Sequence, residues 1–416
     1  MDRLKDILNV APPLEMVELP DGRVALSYVG SSAVDHNMKV VYVAASDSSD
    51  ADKAAANYVC SGTDDQVTIK AAMTSLLPLG GIVYLYTGIY YFGSYLSWST
   101  TDGYLPFFEL KGDEDANPTI VPSTNISIGI DLHVDAFQTI GITNITMNEN
   151  SPYKFTLGAI YIGNQFYPPV EDDIDRMTNV FMDNVIIQKT GTGAGIYVHQ
   201  VHDVYLNGVE VTDIDGSGIS FTDITGDVVL RSCKANNNTP PIPGTESAGF
   251  TFKRVFGNIV CVSVECDSNY QGLYVDGCKD VTLRSFFCEN NTVDGVFVKN
   301  ASSLIVHTGF IRNNGSYGIR TVVPLNMIYS GSLIGNNSPL YNAPGTFAYV
   351  GGVTVTGYDP VFATGGINWI SNCTKDGGAV WGTAIYAYTI AVVTDVDFAL
   401  QTTTSKTLGI IGTPPP

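Results

Sequence analysis

Charged and aromatic side chains recur at a fixed interval between residues 253 and 320. Asp276 lies 23 residues after Lys253 and 23 before Lys299, and Tyr274, Phe297 and Arg320 follow the same interval. If the chain folds back on itself with that period, Asp276 stacks between two lysines and the aromatics stack beside them. Exposed rings next to charges suit the apolar face and hydroxyl rim of a sugar, and cleavage between sugars requires a carboxylate or other base beside the linkage. Hydrolysis uses two such groups about 5 to 9.5 Å apart. The same pattern also fits an ion-pair ladder with cross-strand aromatic neighbours and no further role.

Other acids invite the same two readings. Asp294 stands directly before Gly295, and Glu246 shortly before Gly249, where each would sit at a corner cleft or in a solvated turn. The segment PPVEDDIDR offers Glu171, Asp172, Asp173 and Asp175 as oxygen ligands for calcium, without the spacing or central glycine of an EF-hand loop. A plain acidic loop is the favoured account of it. No cofactor is required by these motifs, and calcium is the one ion the insertion would suit. His199 and His202 are spaced H-x-x-H, which on a strand does not bring both rings to one face, so no metal site is expected. GTGAG at 191–195 is too short for a dinucleotide fingerprint, and no nucleophile elbow or phosphate loop is present.

Composition narrows the partners. Forty-one acidic against 21 basic residues give a net charge of −20, so a nucleic-acid backbone would be repelled. No apolar run is long enough to span a bilayer, and the N-terminus has no signal-peptide core. Seven cysteines, four of them between 261 and 288, contain no C-x-x-C and are odd in number. Buried thiols are the expected state, with disulfides the alternative.

The interval itself predicts the architecture. Glycines 195, 218, 249, 272, 295 and 318 are separated by 23, 31, 23, 23 and 23 residues, the long gap holding the insertion NTPPIPGTES. One residue after each glycine stand Ile196, Ile219, Phe250, Leu273, Val296 and Ile319, and three after stand Val198, Phe221, Phe252, Val275, Val298 and Thr321. Eleven of these twelve are apolar, and the residues between them are mostly polar. Each glycine therefore opens a half-buried strand. A second strand follows in every repeat, and at plus eighteen come Asp213, Asn236, Asp267, Asn290, Asn313 and Asn336, which would form a polar ladder at one corner. Twenty-three residues fit one solenoid coil of two or three short strands. Weaker coils open at Gly129 and Gly158.

An open solenoid end needs a cover. Just upstream, Thr63 and Gln66 read as a capping box, and Ile69, Ala72, Met73 and Leu76 share one helical face. Pro78, Gly80 and Gly81 stop that helix.

The helix GTDDQVTIKAAM followed by the strand GGIVYLYTGIYYF, together with the repeat, resembles the right-handed parallel β-helix proteins of the pectate-lyase-like superfamily, of the viral tailspike type. The resemblance covers roughly residues 55–338. It implies an all-β fold, a polysaccharide partner and, for tailspikes, a homotrimer. Calcium-dependent pectate lyases carry an arginine base with clustered carboxylates, and polygalacturonases carry N-x-D, D-D, G-H-G and R-x-K in consecutive coils. Neither set is matched here, so catalytic residues are not assigned. GGINWISNCTKDGGAVWGTAIYAYTIAVV resembles a small β-rich module appended to some viral β-helix proteins.

The expected organisation is an N-terminal attachment segment at 1–45, a parallel β-helix at 46–338 and a C-terminal β-rich module at 339–416. The expected function is a virion spike or fibre at the virion or extracellular surface that recognises, and in one form depolymerises, a cell-surface polysaccharide. Its N-terminal segment would meet the assembly partner, and Tyr274, Asp276, Phe297, Lys299, Arg320 and Asp294 would line the glycan site. A non-catalytic structural spacer is the alternative, and a cellular polysaccharide lyase or glycoside hydrolase is the third reading.

Overall fold

In the computed structural model, residues 38–149, 152–163, 178–239 and 247–322 are described in full, and strands at 14–18, 24–28 and between 326 and 394 by their backbone. The chain divides into two compact units, Met1–Met38 and Lys39–Pro416. Within the first, Leu14–Glu18 pairs antiparallel with Val24–Tyr28.

The second unit is the right-handed parallel β-helix that the repeat and the resemblance imply. Every coil contributes to three parallel sheets, called A, B and C here in chain order. In the Gly272 coil, residues 273–276 lie in sheet A, 280–284 in sheet B and 287–289 in sheet C, and each pairs in parallel with the coils before and after, with one register shift at Asp276 against the following coil. The pairing continues past the fully described region. Ser338–Tyr341 extends sheet A, Phe347–Gly351 extends sheet B and Thr354–Thr356 extends sheet C, all in parallel.

The two apolar columns read from the sequence point inward. Ile196, Ile219, Phe250, Leu273, Val296 and Ile319 are fully buried, as are Val198, Phe221, Phe252, Val275 and Val298. Burial of each such side chain contributes about 1.5 to 3 kcal/mol. The coil-opening glycine is required by close approach. A Cβ on Gly272 would meet Cys288 Sγ at 2.2 Å and the Gly295 carbonyl at 2.5 Å, and one on Gly295 would meet the Gly318 carbonyl at 2.7 Å.

The corner ladder differs in register from the expectation. Asp213, Asn237, Ser268, Asn290 and Asn313 take positive φ at the C-to-A corner. The continuous amide stack is the next residue of each coil, Asn238, Asn269, Asn291 and Asn314, all buried. Asn291 Oδ1 accepts the Asn269 N–H at 2.9 Å, and its Nδ2 donates to Asn314 Oδ1 at 2.8 Å. The plus-eighteen residues still bond in part, Asn290 Nδ2 to Asp267 Oδ1 at 2.9 Å and the Asp267 N–H to Asn236 Oδ1 at 3.0 Å. The buried stack stands one residue further on, or two in the 218 and 249 coils, which carry an extra residue before the corner; Asn336 lies outside the described residues.

Two short helices precede the coils, α1 (Asp50–Ala55) and α2 (Asp65–Ser75). On α2, Ile69, Ala72 and Met73 are buried, as is Leu76 at its C-cap, as the helical face predicts. The capping box does not form. Asp64 occupies the N-cap with φ 54° and no side-chain cap, while Asp65 accepts the N–H groups of Gly62 at 2.9 Å and Tyr91 at 2.8 Å. Gln66 instead takes the Gly93 N–H at 3.1 Å and donates to Ser94 Oγ at 2.9 Å. Asp65 and Gln66 thus fasten the helix to the strand at residues 89–92 and the turn after it. Cys60, Cys233, Cys261, Cys266, Cys278 and Cys288 are buried free thiols, and Cys373 lies outside the described residues.

Candidate functional site

Side chains of sheet A that point away from the core form one unbroken row. Cα pairing runs from Asp131 to Tyr161, Tyr197, Ser220, Thr251, Tyr274, Phe297 and Arg320, one residue per coil. Neighbouring strands are about 4.8 Å apart, so eight coils make a track of roughly 34 Å. Several of these outward residues are nevertheless covered: Asp131 is 5% exposed, Thr251 2% and Tyr274 1%.

The C-terminal half of the track holds the residues singled out by sequence. Asp276 sits opposite Lys253, but a bulge in the next coil places Asn300, not Lys299, at its paired position. Lys299 still reaches Asp276 Oδ2 at 3.0 Å. Tyr274 donates to Asp276 at 3.3 Å, lies edge-on to Phe297 at 5.6 Å and has the Lys253 ammonium 5.6 Å from its ring centre. Its ring face is therefore occupied by protein. Phe297 carries the Arg320 guanidinium at 5.0 Å. Asp294 is wholly buried, accepting the Tyr317 N–H at 3.1 Å through Oδ1, with Arg320 Nη1 3.7 Å from Oδ2. Burial pushes its carboxyl above the usual range against the pull of that N–H and Arg320. Glu171, Asp172, Asp173, Asp175 and Glu246 lie outside the described residues.

The N-terminal half holds a second cluster, centred on His199 and missed as a unit by sequence reasoning. Tyr161 and Tyr197 stack at 5.1 Å, and Tyr197 lies 5.8 Å from the His199 ring. Burial raises the pKa of both phenols, so both are protonated donors at neutral pH. His199 Nε2 is 2.9 Å from Asp223 Oδ2, while its Nδ1 is buried with no hydrogen-bond partner among the described residues. Arg254 grips Asp223 through Nε and, at 2.8 Å, through Nη2. Burial opposes ionisation of Asp223, but Arg254 and His199 outweigh it and hold the carboxyl down to about 2. Asp131 and His133 lie one coil before Tyr161 and two before His199, 3.7 Å apart. His202 takes a different partner, Asp203 at 3.1 Å, so the H-x-x-H pair is not a joint site.

The backbone under this cluster is unusual for its residue types. Gln200, Asp223, Arg254 and Gly277 all take positive φ at the A-to-B corner. At the B-to-C corner the same conformation falls mostly to Asn144, Asn184, Gly208, Ser232, Ser263 and Ser285. A long side chain in this region costs about 1 to 2 kcal/mol. The signal was present in the sequence as plus-five residues of successive coils, with Asp223 and Arg254 of opposite charge.

Among the described residues no group of three or more His, Cys, Asp or Glu side chains is arranged to hold a metal ion. No helix among them is long and apolar enough to cross a membrane.

No family model and no curated protein matches the sequence. Solved structures do resemble the fold. The chain is similar to the mannuronan C-5 epimerase AlgE4 A-module of Azotobacter vinelandii, with a TM-score of 0.53 and 15% identity over 84% of this chain and 95% of that one. The AlgE6 A-module of the same organism aligns at TM-score 0.43 and 15% identity, over 85% and 97%. ORF18 of Geobacillus virus E2 aligns at 0.35 and 11%, over 76% and 58%. At such identities the likeness establishes the β-helix fold alone.

Proposed function

We propose that this chain is a spike- or fibre-like protein of a virion or extracellular surface that recognises a cell-surface polysaccharide along the outward face of sheet A. One observation carries the reading: the Tyr161–Tyr197 stack stands in the same row as Phe297 and Arg320, with His199, Arg254, Lys253 and Lys299 along its flank. Half-buried rings beside hydrogen-bonding charges are the chemistry of sugar recognition. A parallel solenoid repeats that chemistry once per coil, which suits a repeating polymer. The fold shared with a polysaccharide-modifying module supports the same substrate class.

In this reading residues 1–45 attach the protein to its assembly, 46–338 form the recognition rod, and 339–416 close it. Side-by-side rods would assemble as a homotrimer. Tyr274, Asp276, Phe297, Lys299, Arg320 and Asp294 form the distal part of the track, where Tyr274 and Asp294 support the residues above them. A calcium requirement would fall to the acidic insertion.

A structural spacer is the second reading, favoured by the ion pairs Lys299–Asp276 and Arg312–Glu289, which knit adjacent coils without any ligand. Binding to a panel of acidic and neutral polysaccharides, with reducing-end and unsaturated-product release followed in parallel with and without calcium, separates the two. Binding supports recognition, and product release adds depolymerisation. Absence of both across the panel leaves the spacer.

A further inference from the structure

We infer that Arg254 is the anion-binding residue of the sheet A track and that the polysaccharide recognised there is acidic, bearing carboxylate or sulfate groups. The inference rests on the glycan reading above and names its substrate class.

Three independent features single out Arg254. Its side chain is 52% exposed, whereas its partner Asp223 is 10% exposed and His199 12%. The guanidinium faces Asp223 through Nε and Nη2 only, and among the described residues its Nη1 group donates to nothing. The fork is thus fixed on one edge and open on the other, the arrangement in which arginine reads a planar anion through two parallel N–H bonds.

The corner conformation points the same way. Arg254 holds φ at 52°, which small or amide side chains tolerate better. In the following coil the equivalent residue is Gly277, whose missing Cβ would stand 3.4 Å from Arg254 Cγ. The following coil thus lays no side chain over the stem of Arg254.

Local charge removes the objection raised by the acidic composition. The chain carries −20 overall. Over the coils from Gly218 to Gly318, the outward face of sheet A instead presents Lys253, Arg254, Lys299 and Arg320 against Asp223, Asp276 and Asp294, and the last of these is wholly buried. A polyanion following the track meets four cations against three carboxylates, Arg254 pairing with Asp223, Lys299 with Asp276 and Arg320 with the buried Asp294, so the face carries one cation in excess over these coils where the whole chain is acidic. Asp223 is a positioning residue in this account, holding the fork, with His199 bracing Asp223 from the previous coil.

The test is affinity electrophoresis of the full chain through gels containing polygalacturonate, alginate, chondroitin sulfate or neutral dextran, at low and at physiological salt. Wild type is expected to be retarded by a carboxylated or a sulfated polymer, in a salt-dependent manner, and not by dextran; which polymer retards it tells carboxylate from sulfate. Arg254→Gln should weaken the retardation at least tenfold, Arg254→Lys should keep its salt dependence with severalfold weaker binding, and Asp223→Asn should fall between them. Thermal unfolding confirms that each variant is folded, and Arg254→Lys, which keeps the charge, serves if Arg254→Gln does not fold. Undiminished retardation of a folded Arg254→Gln, or retardation of wild type by dextran alone, overturns the anion site while leaving glycan recognition intact. Retardation by none of the four overturns both.

Discussion

Asp223 and Arg254, corner residues of adjacent coils, are joined by two N–H to carboxylate contacts, and His199 Nε2 braces the Oδ2 that Arg254 Nη2 also contacts. The trio ties three successive coils together at the edge of sheet A. Its stability contribution and its recognition role can be measured separately.

Asp223 gives a pH signature. Its carboxyl is held at about 2 in the folded chain, below the unfolded value near 3.9, because Arg254 and His199 outweigh the burial that opposes its charge. A depressed carboxylate stabilises the fold fully above its unfolded pKa and loses that contribution as pH falls through the folded one. Acid titration of unfolding free energy should lose about 2 kcal/mol between roughly pH 4 and pH 2 in wild type. Asp223→Asn should lack that step.

Asp294 should act with the opposite sign. Burial raises its carboxyl, so the folded chain binds a proton more tightly than the unfolded one. Stability is then greatest when Asp294 is protonated and declines as pH rises from the unfolded carboxyl value, near 3.9, into the mildly acidic range. Denaturant titrations of Asp294→Asn should show that decline removed while the Asp223 step persists.

The asparagine stack should behave as a structural spine. Asn291→Ala leaves the buried Asn269 N–H without its acceptor and removes the side-chain donor to Asn314 Oδ1, which keeps only the N–H of residue 291. The expected loss is about 2 to 4 kcal/mol, read by thermal melting. Asn290→Ala, one residue away at the exposed corner, removes the bond to Asp267 and should cost less.

The thiols should be silent until the coils open. Burial pushes Cys60 up to about 12 and Cys233 and Cys278 up to about 11, and raises Cys261 and Cys266 as well. In a Cys373→Ser background, a thiol-reactive dye at neutral pH should label the native protein slowly and label six sites in denaturant.

The period of 23 made the solenoid legible because an inward column must stay apolar and an opening glycine must clear the next carbonyl. Those two constraints repeat in sequence at the spacing they repeat in space. The functional face was legible only in part. Tyr274, Phe297 and Arg320 share a row as their spacing predicts, yet Tyr274 turned out to be covered by Lys253 and Asp276, a matter of side-chain packing that no periodicity encodes. Asp223 and Arg254 share the plus-five position of their coils, but His199 stands at plus four of the coil before, so no single repeat row contains all three. The capping box failed for a related reason: Gln66 had a better use binding Gly93 across 27 residues.

The central claim is that glycan contacts the outward face of sheet A, and hydroxyl-radical footprinting of the polysaccharide-bound protein tests it most directly. Tyr161, Tyr197 and Phe297 should be protected on binding, while the stacked, exposed pair Phe287 and Phe310 on sheet C should oxidise as fast as in the free chain. Protection of Phe287 and Phe310 with Tyr161, Tyr197 and Phe297 unchanged would contradict the account.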